Sequence, residues 1–272
     1  MRVAVIGHVE HVTIAAVAAL PRPGEIAHLD QPQVIAGGGG GIAFAQLVRG
    51  PGEVSLFTAL GNDDAARVVE AAVGASGARI YAARRDIPHT RDLVLITPDG
   101  QRTIMVIGKP LHPAHADALP WELLASCDAV YFTGEDPATL RAARDARLLV
   151  VTARRRHVLL ASGVRADIVV GSSHDPRESS MLDDYPVRPG ALIMTEGPRG
   201  GRIDTADGSA RFGAAVPAAI VGSYGAGDTF AGALTWYAAR GLPLAEACAR
   251  ASLHGAAVLA GINPLDHQLR LE

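Results

Sequence analysis

The sequence predicts an α/β fold: a three-layer αβα sandwich around a mostly parallel central sheet, with a small β-sheet lid beside it. Short apolar runs, many rich in β-branched residues, recur along the chain, and most are followed by an alanine-rich stretch with helical spacing. Two extended segments break that alternation, and they do not fit inside a parallel sheet.

The strands of the main sheet are expected at residues 3–6, 54–58, 129–132, 148–152, 168–170 and 192–195, with a further apolar run at 216–221. The lid is expected from segments of about 9–35 and 88–108. In the second, residues 90–96 and 102–107 flank Pro98-Asp99-Gly100, and an Asp-Gly turn between alternating runs is a hairpin signal. In the first, Pro21-Arg22-Pro23-Gly24 leads into an extended piece at 25–35. Both pieces read as antiparallel, and together they suggest a flap that excludes water from a cleft. Residues 1–272 read as one domain, long enough to bury a substantial core.

Composition narrows the function. Thirty glycines and 4% aromatic residues suit helices packed closely on a sheet, and a net charge of −3 leaves no footprint for nucleic acid. Cys127 and Cys248 match no metal or redox spacing and read as reduced, buried thiols. The run Met1 to Gly7 reads as a strand rather than a leader, and no apolar run approaches the roughly 20 residues a membrane span requires, so a cytoplasmic protein is expected.

Gly225-Ala226-Gly227-Asp228-Thr229-Phe230 is the most telling stretch. Phe230, Leu234 and Tyr237 recur at i, i+4 and i+7, so a helix is expected over residues 229–240. Glycines at a helix start let unpaired N–H groups close around an anion. A carboxylate there repels phosphate, unless it takes a proton from an attacking hydroxyl. An ordinary glycine turn with Asp228 as helix cap is the plainer reading of the same six residues.

Gly37 to Gly41 stand between an extended segment and an apolar helical stretch, where backbone can approach a hydroxyl-rich ligand closely. The same run satisfies G-x-G-x-x-A, with Asp63 and Asp64 about twenty residues on, so a dinucleotide-binding enzyme is a rival reading. Thr195-Glu196-Gly197-Pro198-Arg199-Gly200 follows a strand, placing Thr195 where α/β sheets bind ligands. Asp175 and Glu178 could share a magnesium shell through water, and a surface capping box accounts for them nearly as well. Arg154-Arg155-Arg156-His157 reads as a solvated turn, and His8-Val9-Glu10-His11 as polar groups lining a substrate mouth.

Taken in order, these motifs resemble the ribokinase-like (PfkB) carbohydrate kinase family over nearly the whole chain, most specifically in GAGDTF followed by Ala231-Gly232-Ala233. The resemblance implies a kinase that transfers the γ-phosphoryl group of ATP, with Mg²⁺, to a hydroxyl of a small sugar or sugar-like compound. It implies Asp228 as base, with Gly225, Ala226 and Gly227 as anion hole. Thr195, Gly197, Gly200 and Ser223 fall at nucleotide-binding positions, Glu178 and Asp175 at the Mg²⁺ turn, and Glu10, Gly37, Gly38, Gly39 and Gly40 at sugar-binding positions. Pairing of two copies through the lid is a further implication.

Several positions depart from the family pattern. Gly41 or Ile42 replaces the asparagine after the paired glycines, and Gly7-His8-Val9-Glu10-His11-Val12 replaces Gly-x-x-Asn-x-Asp. Gly222-Ser223-Tyr224 replaces the Asp-Thr-Thr that helps bind a monovalent cation, which leaves potassium activation open. A non-catalytic nucleotide or metabolite sensor on the same fold is therefore the second reading.

Overall fold

The computed structural model describes residues 1–217 and 219–272. The strands are β1 (Arg2–Ile6), β2 (Glu10–Ala16), β3 (Gln33–Gly37), β4 (Glu53–Leu60), β5 (Arg79–Arg84), β6 (Arg91–Ile96), β7 (Arg102–Ile107), β8 (Ala129–Phe132), β9 (Leu149–Thr152), β10 (Ile168–Ser172), β11 (Ala191–Thr195), β12 (Gly201–Thr205) and β13 (Gly208–Phe212). The helices are α1 (Gly38–Leu47), α2 (Asp64–Gly74), α3 (Pro137–Ala143), α4 (Arg156–Ser162), α5 (Ala226–Ala239) and α6 (Leu244–Ala257).

Nine strands form the main sheet in the order β13-β12-β11-β10-β9-β8-β1-β4-β5, all parallel except β12, which pairs antiparallel with β11 and β13. Alternate residues of each strand feed opposite cores, as a period of two dictates. Val3 and Val5 pack with Phe44, Leu47, Phe230 and Leu234 of α1 and α5, whereas Ala4 and Ile6 pack with Leu140 of α3 and Leu159 of α4. From β1 the chain moves outward to β4 and β5, then returns to the other side of β1 at β8. Strand order reverses between β1 and β8, and ligands of open α/β sheets bind at the carboxyl ends beside such a switch point.

A second sheet, in the order β3-β2-β6-β7, contains the Asp99-Gly100 hairpin as expected. One expectation for it needs correction. The stretch expected to be extended over residues 25–35 forms a strand only from Gln33 onward, where β3 pairs antiparallel with β2; β2 in turn joins the hairpin through a parallel pairing with β6. Val12, Ile14, Val94 and Ile96 turn one face onto Ile42 and Tyr224, so the sheet is joined to the main body by apolar contact.

The expected strand at 216–221 is not formed. Val216, Pro217 and the residues from Ala219 to Val221 are outside regular structure, Val216 is 84% exposed, and Ala218 lies outside the described residues. Instead β12 and β13 pair across Ala206-Asp207 and extend the sheet at its far edge.

Candidate active site

Gly225 adopts φ +77° and caps α5 without a side-chain hydrogen bond, so Asp228 sits in the first turn beside unpaired N–H groups. A side chain on Gly225 would meet Ile42 and Pro264, and the positive φ strains any other residue. Gly227 faces open space, with nothing within 4 Å of where a β-carbon would stand.

The glycine run closes on this turn from the other side. Gly38 to Gly41 form the first turn of α1 itself, not a loop before it. A β-carbon on Gly39 would lie 3.1 Å from Oδ1 of Asp228 and 3.4 Å from Oγ1 of Thr133, and one on Gly38 would lie 3.0 Å from Oε2 of Glu10. On Gly37 it would crowd the Tyr224 hydroxyl, and on Gly40 the His8 carbonyl. The Gly38 N–H donates to the Tyr224 hydroxyl (3.2 Å) and the Gly39 N–H to Nε2 of His8 (3.2 Å). Side chains from β2, the end of β8 and α5 thus converge on the start of α1, and glycine leaves them room. Glu10, Gly37 to Gly40 and Asp228 are brought together at the β1–β8 switch point.

Charge here is unusual. Burial, then the Glu178 carboxylate, raises Asp228 to about 6, against the field of Arg102 and Arg154. Glu10 and Asp92 are both buried, and burial raises both; the hydrogen bond and charge of Asp92 lift Glu10 further, to about 9, whereas the same contact holds Asp92 down, so the pair keeps a proton on Glu10 at neutral pH. Burial holds His8 well below its ordinary range, and His112, whose ring meets His8 edge-on, falls to about 4.

The predicted nucleotide residues line the ends of the neighbouring strands. Thr195 ends β11, and its hydroxyl donates to the Gly171 carbonyl (3.2 Å). Gly197 and Gly200 have positive φ, and a β-carbon on Gly200 would collide with the Phe212 carbonyl, so that glycine serves the β13 contact. Ser223 lies against the small-sheet turn, its N–H donating to the Gly100 carbonyl (3.0 Å) and its hydroxyl accepting from Arg102 (3.4 Å). That segment meets a guanidinium and supplies no carboxylate to a monovalent cation.

Asp175 and Glu178 lie side by side, but both are bound by Arg154, at 2.5 Å and 2.7 Å. The second oxygen of Glu178 accepts from the Ser172 N–H (2.9 Å). In this structure both carboxylates pair with the guanidinium, and among the described residues no group of three or more His, Cys, Asp or Glu side chains could hold a metal ion; a magnesium contact made through water needs no such group.

The basic run itself needs correction. Arg155 is largely buried; its Nε donates to the Thr133 carbonyl (3.1 Å) and its side chain pairs with Glu135. Arg154 and Arg155 stand at the end of β9, where a strand end rather than a surface turn sets their direction. Thr133, at the end of β8, is a further site residue that sequence reasoning missed; it is the residue after an apolar strand that points at the switch point.

The dinucleotide reading loses its context. The glycine run follows β3, a strand of the small sheet, and Asp63 caps α2 and pairs with Arg91. A groove of about 440 Å³ lies on the small sheet beside α2, and neither Asp228 nor the glycine run lines it. No helix among the described residues is long and apolar enough to cross a membrane.

Comparison with known proteins agrees with this architecture. Ribokinase from Thermotoga maritima superposes with a TM-score of 0.79 at 18% identity, covering 98% of this chain and 96% of its own. Ribokinase from Arabidopsis thaliana, complexed with ribose and ATP, gives 0.78 at 16% identity over 98% and 95% of the two chains. Adenosine kinase from Sinorhizobium meliloti gives 0.80 at 18% identity over 99% and 96%. A search of curated proteins finds no match. The sequence matches the family described as "pfkB family carbohydrate kinase" over residues 1–163 and 166–264, and the chain therefore belongs to that family.

Proposed function

We propose that this protein transfers the γ-phosphoryl group of ATP to a hydroxyl of a small sugar or sugar-like acceptor, a nucleoside included. The observation that carries the reading is the Asp228 carboxylate, set in the first turn of α5 beside its unpaired amides and close to Gly39, with Thr133 at the same glycine. A base is most effective with a pKa near the operating pH, and burial brings Asp228 to about 6.

The acceptor would lie over the start of α1, between Glu10 and Asp228, and Asp228 would take its proton as oxygen attacks phosphorus. Amides at the start of α5 would meet the charge that develops on the transferring group. Nucleotide phosphates would run from there toward Thr195 and Gly197. Magnesium would enter as the counter-ion of those phosphates rather than as a resident of the protein. Arg102 reaches Ser223 from the small sheet, which supports that sheet acting as a lid over the reacting groups. The same reading includes pairing of two copies through the lid, whose edge strand β7 leaves Ile104, Met105, Val106 and Ile107 exposed.

ATP consumption measured across pentoses, hexoses and nucleosides tests the reading. Turnover that depends on one acceptor class supports it. ATP binding without acceptor-dependent turnover favours the sensor, which the apolar Val12 and Ile42 beside the glycine run motivate.

A further inference from the structure

Arg154 occupies a position that the proposed reaction has not yet used. Ala153 packs on Gly171 beneath it, with its β-carbon 2.6 Å from where one on Gly171 would stand, which seats the arginine over the ends of β9 and β10. One terminal nitrogen, Nη2, serves both Asp175 and Glu178. Among the described residues Nε and Nη1 have no hydrogen-bond acceptor, although the side chain is only 33% exposed. Most of a planar fork that matches phosphate oxygens is therefore free.

Topology gives this fork its purpose. The acceptor side of the cleft is built at the ends of β1 and β8, by Gly39, Thr133 and Asp228, whereas the nucleotide turn begins at Thr195 on β11. Between β8 and β11 lie only β9 and β10, so phosphates running from one site to the other pass over Arg154. Its charge is felt across that gap, being one of those that hold Asp228 down.

We propose that Arg154 binds the terminal phosphates of the nucleotide, exchanging the carboxylates of Asp175 and Glu178 for phosphate oxygens when ATP arrives. This rests on the kinase reading above. No bond is made or broken; one set of charge-assisted hydrogen bonds replaces another.

Calorimetric titration of the full chain with ATP and, separately, with adenosine tests it. Arg154→Met is expected to weaken ATP about 10- to 10²-fold, as loss of a charged hydrogen bond does, and to leave adenosine unchanged. Should that variant fold poorly, Arg154→Lys keeps the charge without the fork and is expected to weaken ATP several-fold, again sparing adenosine. Unchanged ATP affinity, or equal loss of ATP and adenosine, would overturn the role of Arg154 alone. A wild-type chain that binds no ATP would overturn the kinase reading and this role with it.

Discussion

The α-carbon of Gly39 faces the carboxylate of Asp228 so closely that an added methyl would stand 3.1 Å from Oδ1. Gly39 lies in the first turn of α1, and alanine is the better helix former, by up to about 1 kcal/mol in a helix interior. Gly39→Ala should therefore leave the melting temperature unchanged or raised while displacing the carboxylate by a few tenths of an ångström. Misplacement of a reacting group is costly, and kcat is expected to fall on the order of 10-fold or more. Parallel melting curves and initial rates check the separation of the two effects.

Gly227→Val makes the complementary case. Open space surrounds the site of its β-carbon, so the variant should fold like the wild type. A side chain there would stand where phosphate is expected, and ATP affinity should drop at least about tenfold. Unchanged kinetics and affinity in that variant would remove the anion hole from the account.

The pH profile follows from Asp228 being raised to about 6. A base must be ionised to accept a proton, so kcat/KM should fall as pH drops through about 6. After burial, Glu178 is the largest cause of that rise, so Glu178→Gln should move the acid limb to lower pH. Rate profiles between about pH 4.5 and 8 measure both.

Glu10 makes a stability prediction of opposite sense to that of an ordinary ion-paired carboxylate. Its folded-state pKa of about 9 lies above the ordinary value of 4.5, so between these limits the folded chain holds a proton that the unfolded chain has released. Stability then declines as pH rises across that window. Glutamine resembles the protonated acid, so Glu10→Gln should melt close to wild type near pH 5 and flatten the decline toward pH 9. Thermal melts at several pH values decide this.

The architecture was legible where apolar runs were bounded cleanly. Residues 129–132 were read as a strand and form β8, and the face of Phe230, Leu234 and Tyr237 is buried as its spacing requires. The run at 216–221 misled because apolar, β-branched residues also occur on an irregular exposed segment, here one that contains Pro217. The β12–β13 hairpin passed unread although Asp207-Gly208 carries the same turn signal as Asp99-Gly100; its strands GRIDT and GSARF are simply too polar to stand out.

Within the site, Asp228 and the glycines were nameable because their residue types are improbable at those places without a reason. Arg154, Arg155 and Thr133 were not. Their direction depends on which strands neighbour β8 and β9, and a parallel sheet brings those together from distant parts of the chain. Asp92 was missed likewise, since only the parallel pairing of β2 with β6 brings it beside Glu10.

The account turns on Asp228 as the group that receives the proton of the acceptor. The most direct measurement compares wild type with Asp228→Asn for ATP binding by calorimetry and for phosphoryl transfer from labelled ATP to the acceptor found by screening. The account predicts that Asp228→Asn binds ATP like the wild type and transfers phosphate about 10² to 10⁴ times more slowly. Equal rates of transfer in the two proteins would contradict it.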